Sequence, residues 1–526
     1  MAPRRAVLGL GLLAVAYLAW GGLYIHRTSF VVDGERLFVL WDDAMVSMRY
    51  AANLANGEGL RWNAGEEPVQ GFSNPAITLA MALLHLLPVG ATRISLVVQL
   101  ANLAGLAVLP SLTWNLARRM FPEDARAAAL GALACAASAP LAIWGLQGSD
   151  TTAVCLWLMA ALAIRERTGG RSPGLLFPFL ALGLLIRLDT ALFGAVFAAE
   201  AGLRSRGALR PLLWAGLSYA TVLAGFCSIS LRYYGDLLPN SFFLKVTGMP
   251  LGTMIEWGAI RLGFFWTSAV PALLLAAVAT ARFRGRPAVL LAAGLVVAAA
   301  AYEIGVGSDW AAEHGSRFVT PVLPPLLVLT CAGGRWLLRR GSAPRSWQRR
   351  AAGLPGSALL LVVCVLASPR LPRTEWFDPR APTMYREDNV RNARLGLYLR
   401  DHTSPSTTIA VHWAGLTPYL SGRRAIDVLG KSDRHIAKRK VARFAPGHAK
   451  WDWRYVLDER KPDIILDVSR GLDRLNYFLI HYRRVRSGEL VFSAREGSLH
   501  RIDDPAAIVE PPGDRGPLRA APSGGE

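Results

Sequence analysis

Apolar runs of bilayer length recur through the first 370 residues, and no other feature constrains the fold as strongly. They lie at about 6–25, 94–117, 125–143, 151–164, 173–186, 188–203, 209–231, 258–280, 287–306, 318–338 and 354–368. About 20 apolar residues match the hydrocarbon thickness of a bilayer, and in lipid each backbone polar group must be satisfied within its own segment, which dictates helices. The fold class expected is mostly α, a polytopic membrane helix bundle of about 11 spans. Composition agrees. With 52% hydrophobic and 18% charged residues, the chain is neither disordered nor an ordinary soluble enzyme. The first run has the basic start of a signal peptide (Arg4, Arg5), but no small-residue cleavage site follows, so it reads as an uncleaved span. Cys135, Cys155, Cys227, Cys331 and Cys364 all lie in apolar runs without metal-ligand spacing and read as small apolar fillers.

The run at 75–90, with His85, is shorter and follows Pro75; as a span it would invert every later segment. The positive-inside rule decides. If 75–90 lies flat on the outer surface, ARRMFPEDAR, RERTGGR, RSRGALR, RFRGR and RWLLRRGSAPRSWQRR join Arg4 and Arg5 inside, with 20 Lys/Arg in all against 9 in the opposite loops before residue 369. This places the N-terminus in the cytoplasm and the C-terminus outside, as in a multi-pass membrane protein. Most of the net charge of +20 is then topogenic, and no nucleic-acid partner is needed to explain it.

Three segments follow. Residues 1–368 form the transmembrane domain, with a long first external loop at 26–93. Residues 369–503 form a small extracytoplasmic α/β domain, with strand-like runs at 407–413, 424–429 and 462–469 and a helical run at 389–402. The Pro-, Gly- and Ala-rich tail at 504–526 reads as disordered.

This topology gathers the unusual polar residues at one face. The first external loop carries WDDAMVSMRYAANLANGEGLRWNAGEEPVQGFSN, in which Asp42 and Asp43 follow Trp41 at the start of a helix-like stretch. The bland reading is a pair of acids favoured at a helix N-terminus; the functional one is a general base or a cation ligand at a hydrocarbon boundary, where charge is costly. The same face carries Asp150 in GSDT, Arg187 and Asp189 in IRLDT, RYYGDLLPNSFFLK at 232–245 and GSDWAAEHGSR at 307–317. Arg187–Asp189 reads alone as a structural ion pair, and Lys245 as a snorkelling lysine. Taken together, Asp42, Asp43, Asp189 and Asp309 with Arg187, Arg232, Lys245, His314 and Arg317 suit an anionic, membrane-embedded substrate.

At these residues the chain resembles the GT-C superfamily of membrane glycosyltransferases, most closely the branch of the mycobacterial terminal arabinofuranosyltransferase. The acid pair followed by Arg49-Tyr50-Ala51-Ala52-Asn53-Leu54 and Gly57-Glu58-Gly59-Leu60 is similar to that branch's first-loop signature. RYYGDLLPNSFFLK resembles its Tyr-Tyr-Gly loop, and IGVGSDWAAEHGSRFVTPVLP its Gly-Gly-Asp segment. GLTPYLSGRRAIDVLGKSDRHIAKRK and PGHAKWDWRYVLDERKPDIIL resemble stretches of its outer domain. Three positions depart: Asp150 stands where a Glu is expected, Ser308 where a Gly is, and Lys431 where Leu or Met would follow Gly430.

The resemblance implies transfer of a sugar, arabinofuranose in that branch, from a polyprenyl-phosphate donor to an acceptor hydroxyl of a cell-envelope glycan outside the cytoplasm. Asp42 or Asp43 would be the catalytic base, with Asp42 favoured. Lys245, Arg232, Arg187 and Arg317 are candidates for the donor phosphate. Trp41, Arg49, Tyr50, Asp150, Asp189, Tyr233, Tyr234, Asn240, Asp309 and His314 are candidates for the sugar or acceptor pocket, and the flat 75–90 helix for the wall of a groove admitting the prenyl tail. No cofactor is required, although a divalent cation on Asp42 and Asp43 stays open as an alternative. Other open readings are transfer of another pentose or a hexose, to lipid or protein as well as to glycan, a polyprenyl-linked sugar transporter or flippase, and a scaffold or sensor. In the outer domain, His412, Asp427, Asp433, His435 and His448 fall in family-like stretches. That domain reads as a structural cover, or as an acceptor-binding lid in which Trp451 and Trp453 would stack on sugar.

Overall fold

The structure is a computed structural model, and it describes residues 2–204, 209–309, 311, 314–340, 346–441, 447–467, 472 and 475–511. Two compact units emerge. One comprises Met1–Thr28, Val98–Phe226 and Leu251–Met384; the other comprises Ser29–Val97, Cys227–Pro250 and Tyr385–Glu526.

Helices are the only regular secondary structure among the first unit's described residues. Among the described residues, five helices are long and apolar enough to cross a bilayer: Arg4–Thr28, Ala91–Met120, Leu209–Tyr234, Pro287–Gly305 and Thr320–Arg340. Counting three bent helix pairs as one span each raises this to eight, against the 11 expected. The other apolar runs fall short of that length or apolarity for local reasons. Thr151–Thr168 ends in Arg165, Glu166 and Arg167, Thr190–Arg204 is only 15 residues long, and the apolar stretch Pro173–Ile186 is too short. Large apolar side chains such as Leu12, Leu213 and Val297 lie exposed on the long helices, as in a bundle solvated by lipid tails. The chain is a multi-pass membrane protein.

The second unit is built on a six-stranded mixed sheet in the order β4-β3-β5-β7-β6-β8: β3 Thr408–Val411, β4 Arg424–Asp427, β5 Ile464–Ile465, β6 Tyr482–Ser487, β7 Leu490–Arg495 and β8 Ile508–Val509. β3 pairs in parallel with β4 and β5, and the remaining pairs are antiparallel. Side-chain alternation along β3 sends Ile409 and Val411 to one core and Ala410 to the other. The first core also takes Val46, Tyr50, Trp62 and Phe72 of the first loop, so the helix Asp42–Ala55 is packed into the same core as one face of this sheet. The short β8 extends the sheet beyond residue 503, because Ile508 and Val509 pair with Arg486 and Val485. The disordered tail expected from 504 therefore does not begin there; its part at 512–526 lies outside the described residues. The apolar run at 75–90 forms the 11-residue helix Pro75–His85, too short to span a bilayer.

Candidate active site

The acid pair is positioned by a hairpin and a helix start. β1 (Phe30–Val32) and β2 (Glu35–Leu37) turn at Asp33 and Gly34, both with positive φ, as a tight two-residue hairpin requires. The chain then runs extended through Trp41 (φ −68°, ψ 156°), whose carbonyl accepts from Ala44 N at 3.0 Å and Met45 N at 3.1 Å. Asp42 and Asp43 thus occupy the first helical turn, where the helix dipole favours carboxylates. Neither caps its own helix. Asp42 Oδ1 accepts from Gly415 N (3.0 Å) and Leu416 N (3.3 Å), and Asp43 Oδ1 accepts from Lys431 Nζ at 2.5 Å. The two carboxylates are directed at the segments after β3 and after β4, which the N-terminal electrostatics of the helix alone does not explain.

Buried groups fix those segments. Asp427 takes three backbone N–H bonds, from Leu429 and Gly430 on Oδ1 (3.0 and 3.2 Å) and from Ser432 on Oδ2 (2.6 Å), and so shapes the turn that presents Lys431. Asn240 Nδ2 donates to the carbonyls of Gly430, Lys431 and Asp433 at 2.8–3.1 Å. Arg49, almost fully buried, donates to Asn63 Oδ1 and Arg423 O at 2.8 Å and, through shorter bonds, to Trp62 O and Pro418 O. Tyr50 OH donates to Val69 O (2.6 Å) and accepts from Gly71 N (3.0 Å). Arg49, Tyr50 and Asn240 were candidates for a sugar pocket; their polar atoms hold loop and turn backbone together.

The electrostatics separates the two acids. Burial pushes the Asp42 carboxyl up to about 7, and the adjacent Asp43 charge adds to the rise. Lys431 and the N–H groups of Leu416 and Gly415 pull the other way. Burial also raises Asp427, to about 6, against its N–H bonds and Lys431. A base whose pKa lies near neutrality is suited to proton transfer at physiological pH.

Elsewhere in this unit, Arg232 and Tyr233 are exposed, Tyr234 OH donates to Leu60 O at 3.2 Å, and Lys245 is partly buried on the short helix Asn240–Val246. The remaining candidates belong to the first unit and form a cluster of their own. The Arg187 guanidinium bridges Asp150 (3.4 Å) and Asp189, Arg317 pairs with Asp309, and both guanidinium groups lie 5.2 Å from the Phe318 ring centroid. Arg187 and Arg317, expected to meet the donor phosphate, are committed to carboxylates here. His314 is partly buried in this unit.

Several residues escaped the sequence reading. Lys431 stood out only as a departure, since its partner is 388 positions away. Tyr385 and Trp413 join the candidate Trp41 in a row of rings with centroids 6.3 and 6.1 Å apart. Glu303 is fully buried and accepts from Ser308 Oγ and Ser316 Oγ at 2.5 Å. The signal was available: a Glu in the last turn of an apolar helix is costly and tends to be functional. The second unit also holds a cavity of about 920 Å³ between residues 62–69, the edge strand β4 and residues 432–439. Its cations are all paired: Arg424 and Arg460 with Glu66, Arg439 with Asp452, and Arg434 and Lys438 with Asp236.

Comparison with known proteins supports the fold. Residues 382–502 match a family described as a domain of unknown function, DUF8728. No curated protein matches the chain in sequence. Among solved structures, it is similar to apo ArnT from Cupriavidus metallidurans (TM-score 0.52, 17% identity, covering 80% of this chain and 86% of that one). It is also similar to the apo oligosaccharyltransferase of Archaeoglobus fulgidus (TM-score 0.56, 10% identity, 95% and 76% covered). The arabinofuranosyltransferase AftD from mycobacteria aligns more loosely, with a TM-score of 0.42, 18% identity and 80% and 32% covered. The chain has the GT-C fold that the sequence resemblance implied.

Proposed function

We propose that this protein is a membrane glycosyltransferase that moves a sugar from a polyprenyl-phosphate donor to an acceptor hydroxyl of a cell-envelope glycan, on the outer face of the inner membrane. The observation that carries this reading is the placement of Asp42. One carboxylate oxygen is held by two backbone N–H groups, among the described residues the other takes no hydrogen bond, and burial tunes the group to near neutrality. Oδ2 would take the acceptor proton as the hydroxyl oxygen attacks the anomeric carbon and the bond to the phosphate oxygen breaks. A polyprenyl phosphate is already a good leaving group, so the protein has mainly to orient the alcohol, remove its proton and meet the phosphate charge. Lys245 and Arg232 are the candidates for that charge in this unit, and the rings of Trp41, Tyr385 and Trp413 suit the apolar face of a sugar. No metal or organic cofactor enters these steps. The charge-paired cavity beside β4 suits a neutral glycan acceptor, recognised through hydrogen bonds rather than net charge.

The test is a detergent assay with purified protein, polyprenyl-phosphate arabinofuranose and an arabinan oligosaccharide. A new glycosidic bond, detected by mass spectrometry, is expected. Detergent abolishes compartments, so a transporter would leave both substrates unchanged. Product only with another pentose or a hexose donor would keep the reaction and replace the sugar.

A substitution remote in sequence tests the placement of the base. A Cβ at Gly415 would sit 2.3 Å from Asp42 O and 2.6 Å from Asp42 Oδ1, so the two segments must part. Gly415→Ala is expected to lower kcat by about 100-fold, the scale of an ångström-sized misplacement, with little change in donor KM. Steady-state kinetics on folded protein checks it.

A further inference from the structure

Two adjacent carboxylates attract a cation, and a divalent metal ion is the obvious one to test against these residues. Such an ion takes about six oxygen ligands. Asp42 Oδ1 already accepts two backbone N–H groups, and Asp43 Oδ1 carries the Lys431 ammonium. Among the described residues, no group of three or more His, Cys, Asp or Glu side chains is arranged to hold a metal. An ammonium in contact with one of the two acids would also repel an incoming dication. The donor set does not fit a metal ion.

We propose that Lys431 is the resident cation of the acid pair, occupying the position a divalent metal would take. This inference rests on the reading of Asp42 and Asp43 as the reaction centre, though its physical content stands apart from any activity. The turn that carries Lys431 is built for the purpose. Asp427 organises it through three backbone N–H bonds, and Asn240 grips its carbonyls on either side of the lysine. The Lys431 side chain is 22% exposed and that of Asp43 32%, so the pair is shielded yet open enough to face a ligand. The ammonium pairs with the Asp43 carboxylate, offsets its repulsion of Asp42, and supplies positive charge beside the base without a bound ion. Lys431 is thus a positioning and charge-setting residue that acts through Asp43.

The test is direct binding of Mn²⁺ to the purified full-length protein, followed by electron paramagnetic resonance, with transfer measured in parallel. Wild type should leave added Mn²⁺ free. Lys431→Met should bind it, and the double variant Lys431→Met/Asp43→Asn should lose it again. In chelator, wild type should keep full transfer, Lys431→Met should fall by about 100-fold and recover with Mn²⁺, and Lys431→Arg should retain most of its activity. Mn²⁺ bound by wild type and lost in Asp43→Asn would overturn the proposal. So would a Lys431→Met protein that binds no more Mn²⁺ than wild type, or wild-type transfer that chelator abolishes. If wild type makes no glycosidic bond at all, the reading of the reaction fails, while the Mn²⁺ result still decides the role of Lys431.

Discussion

Asp42→Asn should abolish transfer, lowering kcat by about 10²–10⁴-fold, the usual contribution of a general base, while the fold survives. The amide is isosteric and its oxygen can still accept from Gly415 N and Leu416 N. The change therefore removes the basic oxygen and little else. Unchanged melting temperature and donor KM alongside the lost kcat would separate chemistry from folding. Asp42→Asn with wild-type activity would remove Asp42 from the reaction.

The same carboxylate sets the pH dependence. Its folded-state value of about 7 lies above the ordinary carboxylate range, so below pH 7 the protonated form dominates and cannot accept the acceptor proton. Activity should rise with pH through about 7. Asp43→Asn removes the adjacent like charge, so the acidic limb should move to lower pH. The linked effect on stability has the opposite sense. A carboxyl raised on folding binds its proton more tightly in the native state, so its contribution to stability falls as pH rises from the unfolded value near 4 toward about 7.

How much of this was legible in the chain follows from the range of each interaction. The spans were legible because a bilayer imposes a composition over about 20 residues, and five to eight helices among the described residues have that length and apolarity. The acid pair was legible because it is contiguous. What was hidden is the set of partners. Gly415, Lys431 and Trp413 are brought to the first loop by the strand order β4-β3-β5, and no local pattern encodes that. The role of Arg49 was hidden for a related reason. An arginine beside a carboxylate pair reads as a ligand-binding charge, and only the folded carbonyls of Trp62, Pro418 and Arg423 show that it is committed elsewhere.

Arg49→Met should cost more stability than any other single change in this region. The side chain lies within the core shared by the first loop and the sheet, and its guanidinium sits 5.0 Å from the Trp62 ring centroid. Methionine fills a similar volume but donates nothing. Three backbone carbonyls and Asn63 Oδ1 then lose a charged donor in a buried setting. Hydrogen bonds to a charged group contribute about 1.5–3 kcal/mol each, and unsatisfied buried acceptors cost a comparable amount. Water entry and relaxation will recover part of this, leaving a loss of about 3–5 kcal/mol. In a unit of this size that corresponds to a fall in melting temperature of roughly 6–20 °C. Proteolysis should show earlier cutting between residues 62 and 71, the stretch that Arg49, Tyr50 and Asn63 hold in place. Lysine at this position should rescue little, because one ammonium cannot reach four acceptors arranged around a planar fork. The kinetics give the discriminating readout. If Arg49 gripped the substrate, its loss would raise KM in a protein of normal stability. A clamp predicts the reverse: lower stability, with near-normal KM in whatever fraction remains folded at low temperature.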